Sequence, residues 1–168
     1  MLRRLDKRYL HLSMVKSLSL LDGIGDLKTT KKYYDNWSNK YDLTLNQWNY
    51  TAPKKSLNLL KTKLINKPNK ILDLACGTGL FGEELIKLFS NCQIYGSDIS
   101  QKSLAIAKDK NIYKKLTRNN FEFKKNYKTK FQLVSMIGSM TYCVNHNKLF
   151  SNIKYYLSKN GHFIFTHR

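Results

Sequence analysis

A short apolar segment that runs into a glycine-rich turn restricts the possible folds of this chain more than any other feature. Residues 70–75 form a compact apolar run, KILDLA, and residues 76–79, CGTG, follow it directly. Apolar residues then resume helical spacing over residues 80–89. A strand, a tight turn and a helix in this order are typical of the first unit of a parallel α/β sheet.

The alternation of strands and helices continues to the end of the chain. Further strands are predicted over residues 93–98, 113–119, 131–137 and 162–166, and further helices over 100–110 and 148–157. A turn at Asn160-Gly161 is predicted immediately before the last strand. This alternation predicts a parallel sheet with helices on both faces.

Helices are also predicted before the first strand. They cover residues 5–21, 29–42 and 53–65. In the second of them Tyr34, Trp37 and Tyr41 share one face, which is typical of a core-facing stripe. Because 168 residues suit one core, we expect one domain made of an N-terminal helical cap, 1–66, and a Rossmann-like core, 67–168.

The glycine turn and a carboxylate after it predict a nucleoside site. Gly77 and Gly79 let the backbone approach a ligand closely, and the amides at the helix start donate hydrogen bonds. Asp98 ends the next predicted strand, at a spacing suited to a ribose. A carboxylate accepts hydrogen bonds from vicinal ribose hydroxyls and disfavours a phosphate there. The ligand is therefore expected to carry an unphosphorylated ribose.

Two cofactor classes compete for this site. Residues 77–82, GTGLFG, fit the dinucleotide pattern G-x-G-x-x-G, so this pattern alone does not separate NAD from other nucleosides. Asp73, four residues before Gly77, favours a nucleoside cofactor without phosphate groups over a dinucleotide. A carboxylate there meets a pyrophosphate unfavourably, whereas it can bind the ammonium group of S-adenosylmethionine.

At this point the chain resembles a known family. Residues 71–80, ILDLACGTGL, are similar to the first motif of class I S-adenosylmethionine-dependent methyltransferases, and residues 96–100, GSDIS, to their ribose-binding motif. Residues 34–42, YDNWSNKYD, and 50–53, YTAP, resemble the N-terminal signature of the methyltransferase-like proteins of the Williams-Beuren syndrome region and their bacterial relatives.

The resemblance implies transfer of a methyl group from S-adenosyl-L-methionine, without a metal, to a small-molecule acceptor. The sulfonium is an activated donor, so alignment suffices and no dedicated catalytic residue is required. His146, after the fourth predicted strand, is a candidate general base, although a loop histidine is more often solvated. The implied cofactor-binding residues are Tyr41, Asp73, Ala75, Gly77, Thr78, Gly79, Asp98, Ile99, Asn119, Asn120, Phe121, Ile137 and Gly138.

Two departures from the family leave an alternative function open. Asn119 and Asn120 stand where relatives usually have an acidic residue near the adenine. The family fold has seven strands, whereas this chain ends after the predicted fifth, so we expect a truncated sheet with an exposed edge. A truncated gene, a fragment, or a second copy or partner chain that covers the edge would each explain this. The alternative is a non-catalytic binding or regulatory protein with a cofactor fold.

The charge supports a third hypothesis, an RNA methyltransferase. Thirty Lys and Arg against 11 Asp and Glu give a net charge of +19, with lysine clusters at 114–115 and 124–125 and further lysines at 128 and 130. However, 25 of these residues are Lys and only 5 are Arg, beside 16 Asn, which is typical of A/T-rich codons. A nucleic-acid surface usually recruits Arg. A solvated lysine face is therefore the preferred interpretation, and nucleic acid is not the favoured partner.

Cysteine usage and hydropathy favour a cytoplasmic protein. Cys76, Cys92 and Cys143 are odd in number and contain no C-x-x-C pair, so neither a disulfide framework nor a zinc site is predicted. No signal peptide or apolar span of membrane length is recognisable. We therefore expect no membrane association.

Overall fold

Five parallel strands form the centre of the fold. The computed structural model describes residues 26–167, so the helix predicted over 5–21 lies outside the described residues. The strands are β1 Lys70–Leu74, β2 Gln93–Asp98, β3 Tyr113–Arg118, β4 Phe131–Met136 and β5 Leu157–Phe165. They are hydrogen-bonded in the order β3-β2-β1-β4-β5, and every pair is parallel. The predicted Rossmann-like α/β sheet is confirmed.

Five α-helices accompany the sheet. They are α1 Leu27–Gln47, α2 Ala52–Lys63, α3 Leu80–Leu88, α4 Gln101–Asp109 and α5 His146–Tyr156. A short 3-10 turn, Met140–Tyr142, follows β4. All helices predicted within the described range are present. Helix α1 continues beyond its predicted end because Leu45, which is 2% exposed, extends the buried stripe of Trp37 by two turns.

Apolar side chains cover both faces of the sheet. Neighbouring residues of β1 alternate between the faces: Leu72 packs in a cluster with Leu149 and Ile153 of α5, and Ile71 packs in another with Leu85 of α3. A strand that is buried on both sides reads as a continuous apolar run. This burial explains why β1 was recognisable in the sequence.

The strand order determines where a ligand can bind. Strand β1 pairs with β2 on one side and with β4 on the other, so the chain reverses its direction of winding between β1 and β4. In such sheets the loops after the two central strands diverge to opposite faces and leave a crevice at the carboxyl ends. The turn after β1 and the residues after β2 and β4 meet there.

Two connections depart from the regular pattern. Strand β5 begins at Leu157 rather than His162, so the prediction of a turn at Asn160-Gly161 before the strand was wrong. Asn160 adopts a left-handed φ of 60° inside β5, where the pairing with β4 shifts register. Residues 119–130, between β3 and β4, contain no helix, unlike the other three crossovers of the described chain.

Candidate cofactor site

A cavity lies at the carboxyl ends of β1, β2 and β4, underneath α1. It encloses about 530 Å³, including the part that is open to solvent. The lining residues are Thr30, Tyr34, Tyr41, Ala75, Gly77, Thr78, Asp98, Ile99, Ser103, Phe121, Ile137, Gly138, Ser139 and Tyr142.

The turn after β1 is held in left-handed backbone conformations. Gly77 and Gly79 have φ values of 55° and 93°, which glycine adopts without steric cost. Ala75 has φ 51°, which costs an L-residue on the order of 1 kcal/mol. The Gly79 amide donates to the Cys76 carbonyl at 2.9 Å. This tight turn presents backbone and small side chains to the cavity.

Asp98 fixes that turn and lines the cavity at the same time. One carboxylate oxygen accepts from the Gly77 amide at 2.9 Å, and the other from the Ser100 amide at 2.8 Å. Burial raises the pKa of Asp98, and the backbone amide donors oppose that shift. Each carboxylate oxygen can accept a second hydrogen bond, so the acid can hold the turn and still receive ribose hydroxyls.

Asp73 lies behind the turn and is 1% exposed. Its oxygens accept from the Ser135 hydroxyl at 2.7 Å and from the Tyr113 hydroxyl at 2.8 Å. Burial raises the pKa of Asp73 to about 6, against the lowering effect of these two donors. Asp73 lines a smaller neighbouring cavity, which also includes Gly77 and Thr78. The sequence did not indicate its two partners.

The ring of Tyr113 occupies a niche that two glycines leave free. A Cβ atom at Gly82 would clash with the Tyr113 hydroxyl, and one at Gly96 would lie 2.9 Å from the ring. Neither position tolerates a side chain while the ring remains there. The tyrosine hydroxyl can thereby reach Asp73 of β1 from β3, across the intervening strand β2.

Polar contacts tie α1 over the site. Asp35 accepts from the Ser100 hydroxyl at 2.6 Å, and Asp42 accepts from the Thr78 hydroxyl. The Tyr34 hydroxyl donates to that of Tyr142 at 2.7 Å. Sequence reasoning gave no role to the two aspartates. Their spacing of seven residues, which places both on one face of a helix, could have indicated it.

The aromatic residues of α1 pack on one another, and two of them line the cavity. Trp37 is 3% exposed and packs with Tyr34 and Tyr41, at ring-centroid distances of 6.1 and 4.7 Å. Tyr34 and Tyr41 also line the cavity. Burial raises the pKa of both hydroxyls, so both remain protonated at neutral pH.

The structure places several predicted site residues outside the cavity lining. Asn119 donates to the carbonyls of Asn120 and Phe123, and Asn120 accepts from the Glu122 amide, so these asparagines shape the loop that carries Phe121. Gly79 starts α3 without lining the cavity. His146 is exposed and is also absent from the lining.

Three lining residues had no predicted role, and each had a signal in the sequence. Thr30 lies one helical turn before Tyr34 on the face of α1. The Ser103 amide donates the N-cap hydrogen bond to the hydroxyl of Ser100, the predicted first residue of that helix. Tyr142 follows β4 closely.

Two further searches concern residues 26–167 only. No group of three or more His, Cys, Asp or Glu side chains has an arrangement that could hold a metal ion. No helix in this part of the chain has the length and apolar character needed to cross a membrane.

Known proteins resemble the chain in sequence and in fold. Human methyltransferase-like protein 27 is 35% identical over 97 residues, which cover 56% of this chain and 39% of that protein. A solved S-adenosylmethionine-dependent methyltransferase from Clostridium acetobutylicum is 26% identical with a TM-score of 0.63, covering 76% of this chain and 56% of that one. The chain thus spans well under two thirds of the length of both.

A more distant structure supports the fold alone. The plantazolicin methyltransferase BpumL, solved in complex with S-adenosylhomocysteine, is 19% identical with a TM-score of 0.61. The match covers 87% of this chain and 55% of that one.

A family model described as a methyltransferase domain matches residues 65–168, from just before β1 to the end of the chain. The match includes the turn after β1, the end of β2 and the whole sheet. By sequence and by fold, the chain belongs to the class I S-adenosylmethionine-dependent methyltransferase family that its two motifs indicated.

Proposed function

We propose that this protein binds S-adenosylmethionine and transfers its methyl group to a small, uncharged acceptor. The observation that carries the proposal is the position of Asp98, which faces the cavity at the switch point of the sheet while it holds the Gly77 amide. The cofactor-binding residues that the resemblance implied are also part of this proposal. The family relationship and the name of the Clostridium enzyme support the cofactor.

The residues present fit this cofactor better than a dinucleotide. Among residues 26–167, no Lys, Arg or His lines the cavity, so this part of the chain offers no side-chain cation to a pyrophosphate. Asp98 is the only acidic lining residue within the same range, and Asp73 lies in the adjoining cavity. The faces of Tyr34 and Tyr41 suit a sulfonium cation.

In this mechanism the protein aligns the reactants and excludes water from them. S-adenosylmethionine, when bound, supplies an activated methyl group. Ile137, Gly138 and Ser139 follow β4 and border the space between the turn and Tyr142, where we place the acceptor. Helix α1 roofs that space and excludes water from the line of attack. We assign no general base, because no histidine lines the cavity and the tyrosines of α1 stay protonated.

The lining also supports the class of acceptor. A chain of net charge +19 has many cations for the recognition of carboxylates or phosphates, yet no cationic side chain of the described residues lines this cavity. Tyrosine rings and short hydroxyl side chains supply the contacts instead. An acceptor that is uncharged and partly apolar fits such a lining.

The assembly and location of the protein are further parts of the proposal. We infer an N-terminal cap, 1–66, on a core, 67–168, because α1 and α2 precede β1 and α1 roofs the site. Within the described residues β5 pairs only with β4, and the exposed Phe165 stacks on Phe163 beside it, which supports coverage of this edge by a second copy or a partner chain. The three free cysteines support a reducing cytoplasm.

Calorimetric titration with S-adenosylmethionine tests the cofactor site. We expect wild-type binding to weaken by about 100-fold or more in Asp98→Ala, because hydrogen bonds from the ribose to a charged acceptor are lost. Asp109→Ala is the matched control, since it removes an exposed carboxylate at the end of α4 that does not line the cavity. Thermal melting verifies that each variant is folded.

The outcomes separate the enzyme from the alternative functions. A folded wild-type chain that does not bind S-adenosylmethionine would contradict the proposal. If Asp98→Ala abolishes binding, but the wild type does not convert S-adenosylmethionine to S-adenosylhomocysteine in the presence of hydroxyl, amine or thiol acceptors, the result would favour the non-catalytic binding protein.

A further inference from the structure

A groove lined with lysines lies beside β2 and β3, where no crossover helix covers the sheet. Its lining residues are Lys70, Tyr95, Lys114, Lys115, Thr117, Lys125, Asn126, Tyr127, Lys128 and Thr129. Half of these residues are lysines, and none is Asp or Glu. We call this feature the basic groove.

The missing helix between β3 and β4 produces the groove. Lys115 of β3 is the register partner of Tyr95 of β2, and Thr117 follows on the same face of the sheet. The irregular segment 119–130 forms the other wall, with Lys125 and Lys128. The fold thus brings together lysine clusters that lie apart in the sequence.

The groove is separate from the cofactor cavity. Lys70 is the first residue of β1, so the groove extends toward the amino ends of the strands, whereas the cavity lies at their carboxyl ends. The two linings share no residue.

The positive charge of the groove is not compensated within the described part of the chain. The salt bridges found between residues 26 and 167 involve Lys31, Lys87 and Lys110, none of which lines the groove. The ammonium groups of Lys70 and Lys114 donate to the neutral side chains of Thr129 and Gln93, each at 2.8 Å. Like charges that share one concave surface repel one another, and a bound polyanion relieves that repulsion.

We propose that the basic groove binds a single nucleic-acid strand through its phosphates. Lysines on both walls provide ammonium groups along an extended anionic chain, and Thr117, Asn126 and Thr129 supply neutral polar groups between them. A concave groove admits a thin strand more readily than the convex surface of an acidic protein. The geometry favours phosphate contacts over base reading, because Tyr95 and Tyr127 pack on Phe131, each with a centroid distance of 5.3 Å.

Fluorescence anisotropy with a labelled oligouridylate about 12 nucleotides long tests the proposal. The groove variant is Lys115→Glu with Lys125→Glu, one substitution on each wall. The control variant is Lys55→Glu with Lys61→Glu on α2, which changes the net charge equally at exposed sites outside the groove. We expect the groove variant to bind at least about 10-fold more weakly and its salt slope to fall by about 1.4, while the control changes by less than about 2-fold.

Two comparisons test whether binding of the strand depends on the groove and on its nucleic-acid chemistry. Equal losses in the groove and control variants would show that net charge alone attracts the strand and would overturn the proposal. Absence of wild-type binding, or equally tight binding of an oligoglutamate of the same charge, would overturn it too. Calorimetry with S-adenosylmethionine should give the same affinity for the groove variant as for wild type, so failure of one proposal is distinguishable from failure of the other.

Discussion

Asp73 is a buried acid whose environment opposes its ionisation. Its two hydroxyl donors offset only part of the desolvation, and the nearby Asp98 raises its pKa further. The group therefore binds a proton more tightly in the folded chain than in the unfolded chain, where its pKa is near 3.8. Its ionisation costs folding free energy.

This shift predicts a pH dependence of stability with a defined sign. Between about pH 4 and pH 7, the free energy of unfolding of the wild type should fall relative to that of Asp73→Asn, by up to about 3 kcal/mol. The asparagine variant does not titrate there, and the comparison cancels the effects of the other acids. Chemical denaturation at several pH values measures the difference. A difference that is constant or rises with pH would contradict the prediction.

Local spacing indicated some residue roles and concealed others. Asp98 was recognisable because its position relative to the glycine turn depends on one strand-turn-helix-strand unit. The partners of Asp73 were not, because Tyr113 and Ser135 lie 40 and 62 residues away in the sequence. Tyr113 and Ser135 reach the same carboxylate only because β3 and β4 lie on opposite sides of the pair formed by β2 and β1 in the sheet.

At the scale of elements, two helix starts differ in what their capping residues do. Ser100 caps α4 by accepting from the Ser103 amide at 3.1 Å, and its hydroxyl donates to Asp35 of α1. Ser100 is fully buried. Asp26 caps α1 by accepting from the Thr29 amide at 2.7 Å in an exposed position. Asp26 stabilises the start of α1 alone, whereas Ser100 stabilises the start of α4 and also links α4 to α1.

Alanine substitution should therefore cost unequal amounts. We expect Asp26→Ala to lower the free energy of unfolding by about 1 kcal/mol, the usual effect of losing a cap. Ser100→Ala should lower it by about 2–4 kcal/mol, because it also removes the buried hydrogen bond from the Ser100 hydroxyl to the Asp35 carboxylate, although Lys31 and the Lys102 amide still donate to Asp35. Denaturant unfolding at neutral pH measures both. Equal losses would show that the contact between α1 and α4 contributes nothing.

The elements themselves were largely predictable, because apolar periodicity specifies helices and buried strands. The start of β5 was not, since Asn160-Gly161 has the composition of a turn, and only pairing with β4 keeps it within a strand as an irregularity. The polar contacts that hold α1 over the site were missed for a related reason. The pattern of α1 indicated an apolar face, but the hydroxyl groups that donate to Asp35 and Asp42 belong to other elements.

At the scale of the whole molecule, the excess of positive charge dominates the electrostatics. Thirty basic residues face 11 acidic ones, so most lysines have no carboxylate to pair with. Folding brings these charges closer together, and their repulsion opposes compaction. The composition allowed this conclusion, whereas the concentration of lysines in one groove depended on the tertiary fold.

Screening of this repulsion predicts stabilisation by salt. The melting temperature should rise as NaCl increases from about 10 to about 200 mM, because the Debye length falls below the spacing of most surface charges. Calorimetric melting measures the shift, with the Lys115→Glu and Lys125→Glu variant as a comparison. That variant should show a smaller rise, and a melting temperature that falls with salt in the wild type would contradict the prediction.

The niche that holds the Tyr113 ring links three positions that are distant in the sequence. A Cβ atom at Gly82 or Gly96 would collide with the ring of Tyr113, and a smaller residue at 113 removes that clash. The ends of the Ile112 and Leu116 side chains, 2.9 Å from a Cβ at Gly82 and 2.7 Å from one at Gly96, would then also have to shift. The order in which such changes arise during divergence is therefore constrained: the ring has to be lost before either glycine gains a side chain. Homologues should then show correlated substitution at 82, 96 and 113, with the hydroxyl donor to Asp73 absent wherever a glycine has been replaced.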